Sequence, residues 1–158
     1  MDMRAQCPEL KTRDGDAHRC QREDLAPGAK ESPGVDRYRV LVVDGDSLVC
    51  WAVAESLRAA GFDAVEVPDL AQAMRVLSAS DVELAFLELG LPDAQDFHVL
   101  AAIRRRSPRL PVVLMTAHDS DEIRRDALKL GVVTVLKKPF DLAEIGPVAG
   151  QALLAPLN

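Results

Sequence analysis

Residues 39–61 read RVLVVDGDSLVCWAVAESLRAAG. After Arg39, the residues Val40 to Val43 are apolar at consecutive positions, so an extended segment here buries both of its faces. That is the mark of a parallel strand covered by helices on either side. Beyond an acidic turn, Asp44-Gly45-Asp46, the residues Val49, Ala52, Val53, Leu57 and Ala60 fall at helical spacing until Gly61. This predicts a helix over Ser47–Ala60 that stops at a glycine. Strand, acidic turn and helix together make one βα unit.

The unit recurs along the chain. Predicted strands Phe62–Val67, Val82–Leu87, Pro111–Met115 and Val132–Leu136 alternate with predicted helices Leu70–Ser78, Asp96–Arg106, Asp119–Leu130 and Leu142–Leu154. Five units joined by short loops predict an α/β fold: a five-stranded, parallel, doubly wound sheet with right-handed crossovers. Asp141 and Glu144 have capping-box spacing at the last helix, and Gly146-Pro147 is expected to kink or restart it. Residues 1–36 carry six prolines and glycines among mixed charges and no Ile, Phe, Trp or Tyr. They are expected to form a disordered tail, and residues 37–158 the single domain.

Composition narrows the function classes. Apolar residues make up 48% of the chain but aromatic ones only 4%, so Val, Leu and Ala must fill the core. A net charge of −6 weighs against nucleic acid or an anionic membrane surface as partner. No stretch approaches the roughly 18 apolar residues of a span, and a cytoplasmic protein is expected. Cys7, Cys20 and Cys50 suggest no disulfide framework, and Cys7, His18 and Cys20 lack the paired spacing of a zinc site. The basic run Arg104-Arg105-Arg106, with Arg109, reads as a solvated helix end that complements the dipole. His98 and His118 read as ordinary exposed histidines rather than catalytic groups.

In a doubly wound sheet, ligands bind outside the carboxyl ends of the strands. Those ends hold Asp44-Gly45-Asp46, then Glu88, then Thr116-Ala117, then Lys138-Pro139-Phe140. Taken together over residues 38–154, they resemble the receiver domain of bacterial two-component response regulators. The stretches Leu48-Val49-Cys50-Trp51-Ala52, Leu91-Pro92-Asp93 and Leu114-Met115-Thr116-Ala117-His118 look most like receivers of the nitrogen-regulator class. The resemblance implies a flavodoxin-like (βα)5 receiver fold. It also implies a pocket where acids hold magnesium, an aspartate accepts phosphate from a kinase histidine, and Thr and Lys contact that phosphate.

Three positions depart from that pattern. Gly45 stands where the family has a second acid, leaving Asp44 and Glu88 to hold magnesium weakly, if it binds at all, with Asp46 able to help only by reorienting. Glu88 stands at the phosphoacceptor position, one methylene longer than aspartate, and is expected to pair with Lys138 instead. Val135 replaces the aromatic residue that commonly reports phosphorylation. The pocket residues Asp44, Asp46, Glu88, Thr116 and Lys138 therefore suggest a pseudo-receiver that is not an enzyme. It is expected to act by binding a signalling protein or histidine kinase, with Trp51 marking a partner surface and a homodimer open to it. A still phosphorylatable receiver in a phosphorelay is the alternative. A flavodoxin-like enzyme or nucleotide binder is the alternative from another class, and no glycine-rich phosphate motif supports it.

Overall fold

The computed structural model describes residues 37–91 and 97–156. The expected tail at 1–36, Pro92, Asp93 and the expected helix start at Asp96 lie outside these.

The five strands are β1 (Arg39–Val43), β2 (Asp63–Val67), β3 (Leu84–Glu88), β4 (Val112–Thr116) and β5 (Thr134–Lys137). Between and after them run α1 (Ser47–Ala59), α2 (Leu70–Ala79), α3 (His98–Arg106), α4 (Asp121–Lys129), a 3-10 turn (Leu142–Glu144) and α5 (Ile145–Leu154). The sheet is parallel throughout, in the order β2-β1-β3-β4-β5. The order reverses between β1 and β3, which places a crevice at the carboxyl ends of those two strands.

Period-two alternation in β1 explains the two-sided core. Val40 and Val42 lie against Cys50, Val53 and Leu57 of α1 and Ile145 and Ala149 of α5. Leu41 and Val43 point the other way, toward Ala73 and Leu77 of α2 and Val99, Leu100 and Ile103 of α3. At the end of α1, Gly61 adopts φ +94, while Phe62 N–H donates to Leu57 O and Gly61 N–H to Arg58 O, both at 3.0 Å. That pair of bonds is the Schellman stop that the glycine predicted.

Several boundaries shift for identifiable reasons. Val132 cannot open β5, because its N–H is taken by Ala127 O at the end of α4. Asp119 stays outside α4, where Ser120 caps the helix through Ile123 N–H. The expected break at Pro147 is corrected: Pro147 is the third residue of α5 and lies within a regular helix. The first four N–H groups of a helix have no intrahelical acceptor, so a proline there forfeits nothing. The irregularity falls earlier, in the 3-10 turn, where Asp141 accepts from Ala143 N–H at 2.9 Å.

Candidate functional site

The acid pocket is assembled from residues at the carboxyl ends of β1, β3, β4 and β5. Asp44 leaves β1 fully buried, and its Oδ1 accepts the N–H of Asp46 at 2.9 Å. Asp46 turns away to cap α1, its Oδ1 accepting from Leu48 N–H at 2.9 Å and Val49 N–H at 3.3 Å. It therefore supplies no compensating carboxylate to the pocket. Glu88, the last residue of β3, reaches across to Gly45, whose N–H donates to Glu88 Oε2 at 2.8 Å.

Lys138 completes the pocket. Its backbone follows β5 through a cis peptide to Pro139, and its N–H donates to Thr116 O at 2.7 Å. Its Nζ lies 2.6 Å from Asp44 Oδ2 and 2.8 Å from Glu88 Oε1. All four carboxylate oxygens thus have protein donors. Thr116 is buried at the end of β4, where its hydroxyl donates to His118 O at 3.2 Å and accepts from His118 N–H at 3.0 Å.

Burial acts first on each of the three charges. It pushes the Asp44 carboxyl above its usual range against the pull of Lys138. It opposes ionisation of Glu88 too, but there the Lys138 and Gly45 hydrogen bonds win and hold the carboxyl below its ordinary value. Burial likewise disfavours the Lys138 ammonium, yet the two carboxylates outweigh it and raise the lysine.

The donor set fits magnesium poorly. The ion usually takes one or two carboxylates, and here the Lys138 ammonium lies 2.6 Å from Asp44 and 2.8 Å from Glu88, where its charge competes with a divalent cation for the same oxygens.

A family model for the response regulator receiver domain matches residues 40–148. The chain belongs to that family. Over 117 residues it is 32% identical to the DNA-binding transcriptional regulator NtrC of Rhizobium meliloti, a match covering 74% of this chain and 24% of the relative. It is 33% identical over 107 residues to the transcriptional regulatory protein BasR of Escherichia coli, covering 68% of this chain and 48% of the relative. This receiver chain thus spans between a quarter and a half of the length of such curated relatives. The receiver domain of NtrX from Brucella abortus superposes with a TM-score of 0.69 at 27% identity, covering 74% of this chain and 99% of that one. A response regulator from Thermotoga maritima superposes equally well at 21% identity, covering 75% and 99%.

Of the residues singled out from sequence, Asp44, Glu88 and Lys138 meet directly, and Thr116 joins through its carbonyl. Asp46 is spent on the helix cap. Val135 is buried in the core facing α2 and α3. Trp51 remains 53% exposed beside Leu48 at 70%, one helical turn away on α1. Arg58 holds Glu55 at 2.7 Å and Glu66 at 2.9 Å next to them. His98 and His118 are exposed. Cys50 is buried, which pushes its thiol pKa up to about 11 and makes it inert. Arg104 departs from the expectation of a solvated helix end. Rather than standing in solvent it folds back onto main-chain carbonyls; Arg105, Arg106 and Arg109 are exposed as expected.

Proposed function

We propose that this receiver domain is a phosphorylation-independent pseudo-receiver in two-component signalling, acting by binding a protein partner rather than by catalysis. The observation that carries the reading is Lys138 bridging Asp44 and Glu88 while Gly45 N–H occupies the remaining Glu88 oxygen. Attack on phosphorus needs a well-placed, electron-rich carboxylate oxygen, and each oxygen of Glu88 already accepts a hydrogen bond that draws on its charge and fixes its position. The extra methylene also moves the carboxylate about 1.5 Å from where aspartate would place it. A displacement of about 1 Å can cost on the order of a hundredfold in rate. Magnesium would share those carboxylates with the Lys138 ammonium, whose charge repels it, so binding is expected to be weak.

The partner is a signalling protein or histidine kinase, or a second copy of the chain. Support for a contact at α1 comes from the neighbouring exposure of Trp51 and Leu48, since tryptophan is enriched at interface hot spots. A net charge of −6 argues against nucleic acid. Among the described residues no helix is long and apolar enough to cross a membrane, and we assign the protein to the cytoplasm. The test is intact mass after incubation with acetyl phosphate and magnesium. An unchanged mass supports the proposal, whereas stoichiometric addition of a phosphoryl group sinks it in favour of a receiver phosphorylated by a histidine kinase.

A further inference from the structure

Helix α4 has little of its own to hold it. Across nine residues it fully buries one side chain, Ala127, with Ile123 half-buried beside it, so the apolar contribution to its placement is small. Polar ties at its ends therefore carry much of its position.

At its carboxyl end the tie is Arg104, from the last turn of α3. The Arg104 guanidinium donates through Nε to Leu130 O at 3.3 Å and through Nη2 to Gly131 O. Through Nη1 it also donates to Pro108 O at 3.4 Å and to Leu110 O, in the turn leading into β4. One planar fork thus joins two separate turns, a task suited to arginine because its donors are rigidly disposed. Leu130 and Gly131 are the residues that close α4, with Gly131 at φ +77, Gly131 N–H donating to Leu128 O and Val132 N–H to Ala127 O. A cation placed there also meets the negative end of the helix dipole.

The amino end of α4 is linked instead to the main chain of Lys138, whose side chain enters the acid pocket. Thr116 accepts Lys138 N–H through its carbonyl and holds His118 through its hydroxyl. Asp119 then pairs with Arg124 at 2.6 Å, and its Oδ1 is a buried oxygen with no donor among the described residues. Such an uncompensated oxygen marks this amino end as the less well satisfied of the two.

We infer that Arg104 is the anchor that sets where α4 lies, so that a change in the acid pocket moves α4 only as a swing about its Arg104-held end. The exposed pair Leu128 and Leu130 sits at that fixed end and keeps its place whatever the pocket does. This does not depend on whether Glu88 takes phosphate.

Backbone amide hydrogen exchange on the full chain tests it, comparing wild type with Arg104→Met, Arg104→Lys and Lys138→Met. Arg104→Met is expected to speed exchange of the amides from Arg124 to Val132 by about tenfold or more, while those of β1 and β3 stay protected. Arg104→Lys should also loosen α4, because a single ammonium cannot span both turns. Lys138→Met should quicken exchange from Ala117 to Ile123 beyond any general loss of protection read at β1 and β3, and change Leu128–Val132 by no more than that general loss. The inference is overturned if α4 is unchanged in Arg104→Met, or if Lys138→Met loosens Leu128–Val132 as much as Arg104→Met does. Should Arg104→Met lose protection everywhere, Arg104→Lys decides: loosening confined to α4 supports the anchor, whereas an unchanged α4 or global loss makes Arg104 a general prop of the fold.

Discussion

Lys138 Nζ lies 2.8 Å from Glu88 Oε1, and the same ammonium reaches Asp44 Oδ2 at 2.6 Å. One cation therefore serves two carboxylates, of which Asp44 is fully buried and Glu88 mostly so. The pocket keeps one uncompensated negative charge, and backbone N–H groups of Gly45 and Asp46 share it. A site already this close to neutral has less need of a metal than one lined by three acids.

Removing the lysine exposes how much it does. Breaking one partner of a buried pair leaves an unsatisfied charge, so Lys138→Met is expected to destabilise the domain by about 3 kcal/mol, measured by urea unfolding. Adding Asp44→Asn to that variant should recover part of the loss, since the burdened carboxylate is then gone. A single variant within about 0.5 kcal/mol of wild type would mean that the bridge contributes little.

The same bridge sets the pH dependence. The folded Lys138 titrates above its usual value of 10.5, so its contribution is complete below that pH and is lost as pH rises through the folded value. Glu88 titrates below its usual 4.5; its contribution is complete above 4.5 and is lost as pH falls through the folded value. Asp44 runs the other way. Raised above 3.8, it makes the folded protein bind more protons than the unfolded chain, so its effect on stability worsens as pH rises from 3.8 through the folded value. The difference between the melting profiles of wild type and Lys138→Met should accordingly shrink in the alkaline limb beyond pH 10.5. A constant difference there would show that Lys138 is not the titrating group.

Trp51→Ala should alter unfolding free energy by no more than about 1 kcal/mol, because the residue is already more than half exposed. Sedimentation or binding to a cognate kinase, by contrast, should register the substitution. Unchanged association in both measurements would remove α1 from the proposed partner surface.

Much of this is legible in the sequence because two regular patterns are strong. Val40 to Val43 can be buried on both faces only as a covered parallel strand, and Gly61 marks the stop of α1 without ambiguity. The meeting of Glu88 with Lys138 follows from their places at strand ends. What escapes depends on contacts between distant segments. Pro147 reads as a helix breaker until the 3-10 turn shifts the helix start to Ile145 and puts the proline in its first turn. Arg104 reads as one of four alike arginines, and only the adjacency of the α3 and α4 ends gives it carbonyls to hold. Asp46 is a candidate for the pocket and for a cap alike, and the unsatisfied N–H groups of α1 claim it.

Restoring the family residues should reverse the pocket's character. Gly45→Asp combined with Glu88→Asp returns a second metal carboxylate and withdraws the longer side chain from Lys138. This variant is expected to gain thermal stability on addition of magnesium, as any ligand that binds only the folded state must produce. Wild type should respond little. Equal responses in the two proteins would show that Asp44 and Glu88 suffice for the ion.

The most direct measurement is mass spectrometry of Glu88 in wild type and in Gly45→Asp/Glu88→Asp, each after acetyl phosphate and magnesium. The account predicts an unmodified Glu88 in wild type and a hydroxylamine-sensitive acyl phosphate at position 88 in the variant. A hydroxylamine-sensitive acyl phosphate on wild-type Glu88 would contradict it.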